Sequence, residues 1–311
     1  MDLKGVIKKF EERPVRMSYG AGKMSKRFNC TINDIYEARR IVRNLKKNEH
    51  SKIKHLPKIL IFDIETAPLR AYVWSRWQQN VYLDQTISEW FMLTWSAKWL
   101  GSTETLSNRL VGSEVKAEDD SRIVKDLWRL INEADIIIAH HGDKFDVPKM
   151  NSRFIINGLN PPSSYITIDT RKVAARQFGF SSNRLDALAG YFGFDCKLDT
   201  DFKLWSKCMD GDEDSLKYME KYNKYDVELL EDVYLKLRPW IKPHPNVSLY
   251  SNYNEPQCAT CGSLNVKDEG FYYTSTGKYP TYRCDCGAIS RGRTTIVEKD
   301  KKKSLLVSSA R

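Results

Sequence analysis

At 311 residues, 41% hydrophobic and 29% charged, the chain can bury a sizeable core and hold more than one domain. No run approaches the roughly 18–20 apolar residues of a membrane span, and MDLKGVIKKFEERPVR has no apolar stretch of the secretory kind, so a soluble, cytoplasmic protein is expected. The net charge of +10 is concentrated at the ends: residues 1–58 hold sixteen Lys/Arg against six Asp/Glu, and residues 287–311 hold seven against two. Basic ends on a mildly acidic body suit a polyanionic partner such as nucleic acid, or solvated tails.

Residues 1–50 read as mostly helical, with a break at Asn29-Cys30-Thr31. Thr31 and Asp34 have the spacing of a capping box, with Asp in place of the usual Glu. Ile32, Ile35, Ala38, Ile41 and Val42 then recur at helical spacing, interleaved with Arg39, Arg40, Arg43, Lys46 and Lys47. Helix, short turn and basic helix outline a helix-turn-helix in which Arg39, Arg40 and Arg43 would contact nucleic acid. A small helical pair with a solvated basic face has the same pattern. Residues 51–57 read as a polar linker.

Strands and helices mix through residues 58–245. KILIFDIET is a buried strand, and FMLTWSAKWL and TETLSNRLV are two more. DDSRIVKDLWRLINEA is a helix with Ile123, Val124, Leu127, Leu130 and Ile131 on one face, and DIIIAHH is another buried strand. Helices follow at DVPKMNSRFIING, SNRLDALAGYFG and DSLKYMEKYNKYDVELLEDVYLKL. This order predicts an α/β fold, a mixed sheet with helices packed on it.

Three places in that segment put acids where chemistry can use them. Asp63 and Glu65 end an apolar run, and strand alternation points both to one face, where they can share a cation. The plainer alternative has Asp63 capping a turn and Glu65 on the surface. Asp146 follows a loop and precedes Pro148, a position that also suits a helix cap, while Asp143 reads as a loop residue. Tyr222 and Asp226 lie four apart on a helix and so share a face, with Tyr218 one turn earlier.

The C-terminal part carries Cys258, Cys261, Cys284 and Cys286, while Cys30, Cys196 and Cys208 are scattered. In a reducing compartment such a cluster suggests metal, and two knuckles flanking strand-like FYYTSTGKYPTYR look like a zinc ribbon over residues 252–298. The second knuckle is C-x-C where C-x-x-C is usual, and a zinc-free hairpin with free thiols is the alternative. Arg291 and Arg293 nearby suit a nucleic-acid grip. Residues 299–311 read as a loose basic tail.

Taken together, Asp-x-Glu on a strand, Phe-Asp-x-Pro about 80 residues on and Tyr-x-x-x-Asp about 80 further resemble the DEDD superfamily of 3′-5′ exonucleases, in its tyrosine branch (DEDDy). The resemblance covers about residues 58–240. FDIET and YNKYD match the first and third motifs closely, and in the second His141 stands where asparagine is often found. IDTRKVAARQFGFSSNRLDALAGYFGF is similar to the stretch between the second and third motifs of such enzymes, phage-encoded ones included. The resemblance implies a ribonuclease-H-like fold in which Asp63, Glu65, Asp146 and Asp226 hold two divalent cations, Mg²⁺ or Mn²⁺, roughly 3.5–4 Å apart. It implies that Asp63 bridges both ions, that Tyr222 orients the attacking water and that Glu65 accepts a hydrogen bond from it.

The implied reaction releases nucleoside 5′-monophosphates from a 3′ end in replication, proofreading or repair, beside a DNA polymerase or replication complex. His140, His141 and Phe145 would line the path of the strand. One or two of Trp74, Trp77, Trp90, Trp95 and Trp99 would stack its bases, the rest being core or sheet residues. DNA is the expected substrate. An exoribonuclease of the same fold and a non-catalytic nucleic-acid-binding accessory protein are the alternatives.

Overall fold

The computed structural model describes residues 2–12, 21–50, 56–194 and 200–306, with the side chains of 11–12 and 43–50 also outside the description. It divides into two compact units, residues 1–51 with 58–234 and residues 52–57 with 235–311. The expected 51–57 linker and Cys196 fall largely outside the described residues. Among the described residues, no helix is long and apolar enough to cross a membrane.

The N-terminal helices are α1 (Leu3–Glu12), α2 (Ala21–Phe28) and α3 (Ile32–His50). They close over Val6, Phe10, Met24, Phe28, Ile35, Ala38 and Val42, with the Phe10 and Phe28 rings edge-on at 5.9 Å. The turn between α2 and α3 uses Asn29 at φ 49, a left-handed backbone that asparagine tolerates. Asp34 does close the expected box: its amide donates to Thr31 Oγ1 at 3.1 Å, and its carboxylate accepts from the Thr31 amide at 2.9 Å. The Thr31 hydroxyl, which donates to the same carboxylate at 2.7 Å, and then the Thr31 amide hold the Asp34 carboxyl below its ordinary pKa. Of the expected apolar stripe, Ile35, Ala38 and Val42 point inward, while Ile32 is exposed.

The main sheet begins with β1 (Ile59–Thr66). Two short strands, β2 (Arg70–Ala71) and β3 (Thr86–Ser88), form a hairpin before β4 (Met92–Trp99) and β5 (Leu106–Arg109). Helices α4 (Gly112–Ala117) and α5 (Ser121–Glu133) lead to β6 (Ile136–Ala139), α6 (Asp146–Ile156), β7 (Ile166–Asp169) and α7 (Thr170–Gln177). Then come α8 (Leu185–Phe192), α9 (Phe202–Met209) and α10 (Glu213–Leu237). The strand order is β5-β4-β1-β6-β7: β4 is antiparallel to both β5 and β1, and β1, β6 and β7 run parallel. This is the mixed sheet flanked by helices that the sequence predicts, and it is consistent with a ribonuclease-H-like fold.

Central β1 is apolar on both sides, Ile59 to Phe62 being buried throughout, as suits a central strand of a sheet covered on both faces. Helix α5 brings Ile123, Val124, Leu127 and Ile131 into that core, and the Trp95 indole N–H donates to the Ile123 carbonyl at 2.7 Å. Asp120, at the start of α5, is buried and joins three elements. Its carboxylate accepts from the Met92 amide at 2.8 Å and from both Arg153 nitrogens at 2.6 and 2.7 Å. A buried, bidentate pair of this kind fixes geometry, and removal of one partner typically costs about 3–5 kcal/mol. Arg153 is on α6, so the bond helps to set the helix that begins at Asp146.

The second unit contains β8 (Val266–Tyr273), β9 (Lys278–Cys284) and β10 (Ile289–Arg291), an antiparallel sheet in the order β10-β9-β8, and a short helix α11 (Lys299–Ser304). The expected loose tail thus holds a helical turn, and residues 307–311 lie outside the described residues. The small buried cluster of Cys258, Cys261, Cys284 and Ala288 is too little core to hold such a sheet without a staple.

Candidate active site and cysteine centre

Strand β1 outruns its parallel neighbour. Its last parallel pair with β6 is Ile61 opposite Ile138, whereas on the β4 side pairing continues past Asp63 to Glu65. Asp63 and Glu65 therefore lie at the carboxyl end of the parallel strands, where one edge of β1 is open, the usual place for a site in such sheets. Asp226 on α10 meets them, and one oxygen from each of the three lies within 4.8 Å of the others. Asp226 is buried, and Asp63 and Glu65 are half-buried.

Asp146 joins from the other side. It opens α6, is 1% exposed, and its Oδ1 accepts the Ile64 amide at 3.3 Å, beyond the last β1–β6 pair. Burial, reinforced by the nearby Asp169 carboxylate, pushes its pKa up to about 7. Asp146 lines the same cavity as the other three but is not a member of the 4.8 Å set. These four carboxylates, all oxygen donors on one cavity whose wall also carries Asp186, fit hard divalent cations, with Asp63, Glu65 and Asp226 as the nearest ligands.

The loop before α6 is held by unusual backbone. His141 takes φ 71, and its amide donates to Asp169 Oδ1 at 3.0 Å. Asparagine and histidine are both enriched in the left-handed region, which gives a physical reason for either residue at this position. Gly142 packs against Ala139 so closely that a Cβ would lie 2.4 Å from the alanine methyl. Asp169 also caps α7 through the Arg171 and Lys172 amides. His140 is wedged between Thr170 Oγ1 at 2.9 Å and the Asn183 carbonyl at 3.0 Å, and burial lowers its pKa to about 4. It is thus neutral near pH 7, with Nε2–H donating to the carbonyl. Asp143 pairs with Lys172 at 2.7 Å outside the cavity lining, as a loop residue would.

The cavity has a volume of about 280 Å³. His140, His141 and Phe145 line it, together with Arg171, Arg184 and Asp186, which the sequence reading did not single out. Arg184 and Asp186 stand at the start of α8, inside a stretch that the sequence marks by its helical pattern and its similarity to the segment between the second and third motifs, without pointing to either residue. Tyr222 has a different setting. It is 4% exposed, its ring lies edge-on to Trp205 with centroids 6.5 Å apart, and it is not among the lining residues. Asn223, three residues before Asp226 on α10, also reaches β1: its Nδ2 donates to Asp63 Oδ2 at 2.6 Å. Its i,i+3 spacing from Asp226 was the available signal.

The tryptophans separate by setting. Trp95 is buried, Trp90 lies under the Lys149 ammonium at 3.7 Å, and Trp74 and Trp77 are exposed in the β2–β3 segment. Of the N-terminal arginines, Arg39 is 2% exposed, Arg40 is exposed beside Glu37 at 3.6 Å, and the Arg43 side chain lies outside the described residues.

All four C-terminal cysteines converge, with their sulfurs within 4.8 Å of one another. Cys258 and Cys286 sulfurs are 3.7 Å apart, and those of Cys261 and Cys284 are 3.6 Å apart. A tetrahedron with Zn–S bonds of about 2.3 Å has edges of about 3.8 Å, so the spacing fits zinc. Each knuckle turns at a left-handed glycine, Gly262 at φ 76 and Gly287 at φ 92, whose amides return to the Cys258 and Cys284 carbonyls. Hydrogen bonds from Cys261 and Cys286 hold the Cys258 thiol below its ordinary pKa, and the same contacts with Cys258 push the Cys261 and Cys286 thiols up. The shortened C-x-C knuckle therefore still brings both of its sulfurs to the cluster.

Residues 100–238 match the sequence profile RNase_H_2 of the RNase_H superfamily, in keeping with the ribonuclease-H-like fold of that part of the chain. The match takes in Asp146 and Asp226 and begins after β1. No curated protein matches the chain. Among solved structures, the chain is similar to the family B DNA polymerase of the hyperthermophilic archaeon Pyrobaculum calidifontis, at 16% identity and a TM-score of 0.45. The similarity covers 59% of this chain and 25% of the polymerase.

Proposed function

We propose that the protein is a metal-dependent 3′-5′ exonuclease of the DEDDy type that removes nucleotides from single-stranded 3′ ends, with DNA as substrate. The observation that carries this reading is the convergence of Asp63, Glu65 and Asp226 within 4.8 Å at the open end of β1, with Asp146 in the same cavity. Divalent cations, Mg²⁺ or Mn²⁺, would neutralise charge on the attacking and leaving oxygens and lower the pKa of water. The four carboxylates would hold those ions, and Asn223 would keep Asp63 in its orientation. Glu65 would accept a hydrogen bond from the attacking water, and Tyr222 would orient that water from α10.

In the reaction, the water oxygen bonds to phosphorus as the P–O3′ bond to the penultimate nucleotide breaks. The products are a nucleoside 5′-monophosphate and a strand with a new 3′-hydroxyl. Arg171 and Arg184, on the cavity wall, supply positive charge for backbone phosphates. His141 and Phe145 flank the terminal nucleotide, and the Phe145 ring offers a face for a base. In the second unit, the four thiolates would hold one structural Zn²⁺. The resemblance supports a role in replication, proofreading or repair beside a polymerase.

The test uses 5′-labelled single-stranded DNA and RNA of one sequence, incubated with Mg²⁺ or Mn²⁺, with Asp63→Ala as control. A metal-dependent ladder shortening from the 3′ end, missing in the control, supports the proposal, and faster digestion of RNA would make it an exoribonuclease. Tight binding of both strands with no ladder would replace it with a non-catalytic accessory protein.

A further inference from the structure

The C-terminal hairpin exposes aromatic rings that its small core does not use. Phe271, Tyr272 and Tyr273 on β8 are 50%, 51% and 65% exposed. The register sorts the side chains into two faces. Tyr272 is opposite Tyr279, Gly270 opposite Thr281, and Lys267 opposite Arg283; on the far side of β9, Arg291 is opposite Thr281 and Ile289 opposite Arg283. Directly opposed residues share a face, so Tyr272, Tyr279, Lys267, Arg283 and Arg291 stand together, away from Cys284. The Arg291 guanidinium lies over both rings, 4.6 Å from the Tyr279 centroid and 5.3 Å from that of Tyr272.

The charge on this face is one-sided. Against three cations it offers Glu269, which is occupied by Arg283 at 2.6 Å. A cross-strand tyrosine pair alone would be explained by hairpin stability. Three cations around it are not: Glu269 answers one of them, and the net positive charge left on the face is favoured by an anionic partner. Flat rings, a guanidinium plane piled on them and flanking positive charge are the groups that hold unpaired bases and their phosphates. An acidic protein surface would meet the charge but leave the rings without flat partners.

We propose that this sheet face is a second nucleic-acid site, separate from the cleft, which binds single strands by stacking bases on Tyr272 and Tyr279 while Arg291, Arg283 and Lys267 contact phosphates. Fluorescence anisotropy of the full chain would test it, in an Asp63→Ala background and without added divalent cation. The probes are oligo(dT) of about 12 nucleotides and an abasic strand of equal length and charge. The readout is binding alone, so it stands whether or not the cleft cleaves.

The parent should bind the base-bearing strand at least ten-fold more tightly than the abasic one. Tyr272→Ala with Tyr279→Ala should shrink that preference at least five-fold, and Tyr272→Phe with Tyr279→Phe should keep it, since the rings remain. Arg291→Ala should lower the slope of log Kd against log salt by about one. Equal binding of both strands by the parent, or a preference that the double alanine variant leaves intact, overturns the proposal. So does a face whose alanine variants lose a protein partner while strand binding is unchanged.

Discussion

Replacing Asp146 by asparagine should stabilise the metal-free protein, and the gain should depend on pH. The native carboxyl titrates at about 7 against an ordinary 3.8, because burial raises it more than the Ile64 hydrogen bond lowers it. A raised folded pKa means that the folded state holds a proton which the unfolded state has already released. The stability this proton contributes is fully present below pH 3.8 and is lost as pH rises to about 7. Three pH units at about 1.36 kcal/mol each give roughly 4 kcal/mol. Asparagine is isosteric and neutral, and its Oδ1 can still accept the Ile64 amide. Urea titrations without added divalent cation, followed by fluorescence of buried Trp95, should show Asp146→Asn gaining on the parent by about 1.4 kcal/mol per pH unit between pH 4 and 7, then holding level. Added Mg²⁺ should narrow the gap by stabilising the parent. A variant no more stable than the parent at pH 8, or a gap that is the same at pH 4.5 and pH 8, would refute the reasoning.

Asn223→Ala removes the amide that donates to Asp63 at 2.6 Å. Loss of an outer partner of this kind should lower kcat/KM by about 10–100-fold and raise the Mg²⁺ concentration for half-maximal activity, read from a metal titration of the exonuclease assay. Metal analysis should find one zinc per chain in the native protein and none in Cys261→Ser. In that variant limited proteolysis should remove the C-terminal unit while the 58–234 body survives; a protease-resistant C-terminal unit without zinc would return the cluster to a metal-free hairpin.

What the sequence conveyed, and what it withheld, follows from how far each signal reaches along the chain. The run Ile59–Phe62 followed by Asp63 and Glu65 is local, so strand alternation alone places both acids on one face. The Thr31–Asp34 box is local too, three residues wide. Asn223 is hard to read from sequence because its partner, Asp63, is 160 residues away, and its i,i+3 spacing from Asp226 is the one local cue. Arg171 reaches the cavity because β7 pairs with β6 and delivers α7 beside it, and Arg184 reaches it from the start of α8. Tyr222 and Asp226 share a helical face about 100° wide; Asp226 meets Asp63 and Glu65, and the Tyr222 ring lies edge-on to Trp205, a partner that helical spacing does not announce. Arg39 shows the same limit: interleaved charge on α3 reads as a basic surface, yet this guanidinium is buried.

The overshoot of β1 past β6 makes the cleft a consequence of unequal strand lengths. Had β6 continued for another few residues in register, its carbonyls would compete for the Ile64 amide, Asp146 would lose its seat, and the open flank beside Asp63 would be roofed by backbone. Such a chain could keep every acid and still hold no cavity. Whether a relative of this protein is a working nuclease or a silent scaffold is therefore written as much in where one short neighbouring strand stops as in the carboxylates themselves.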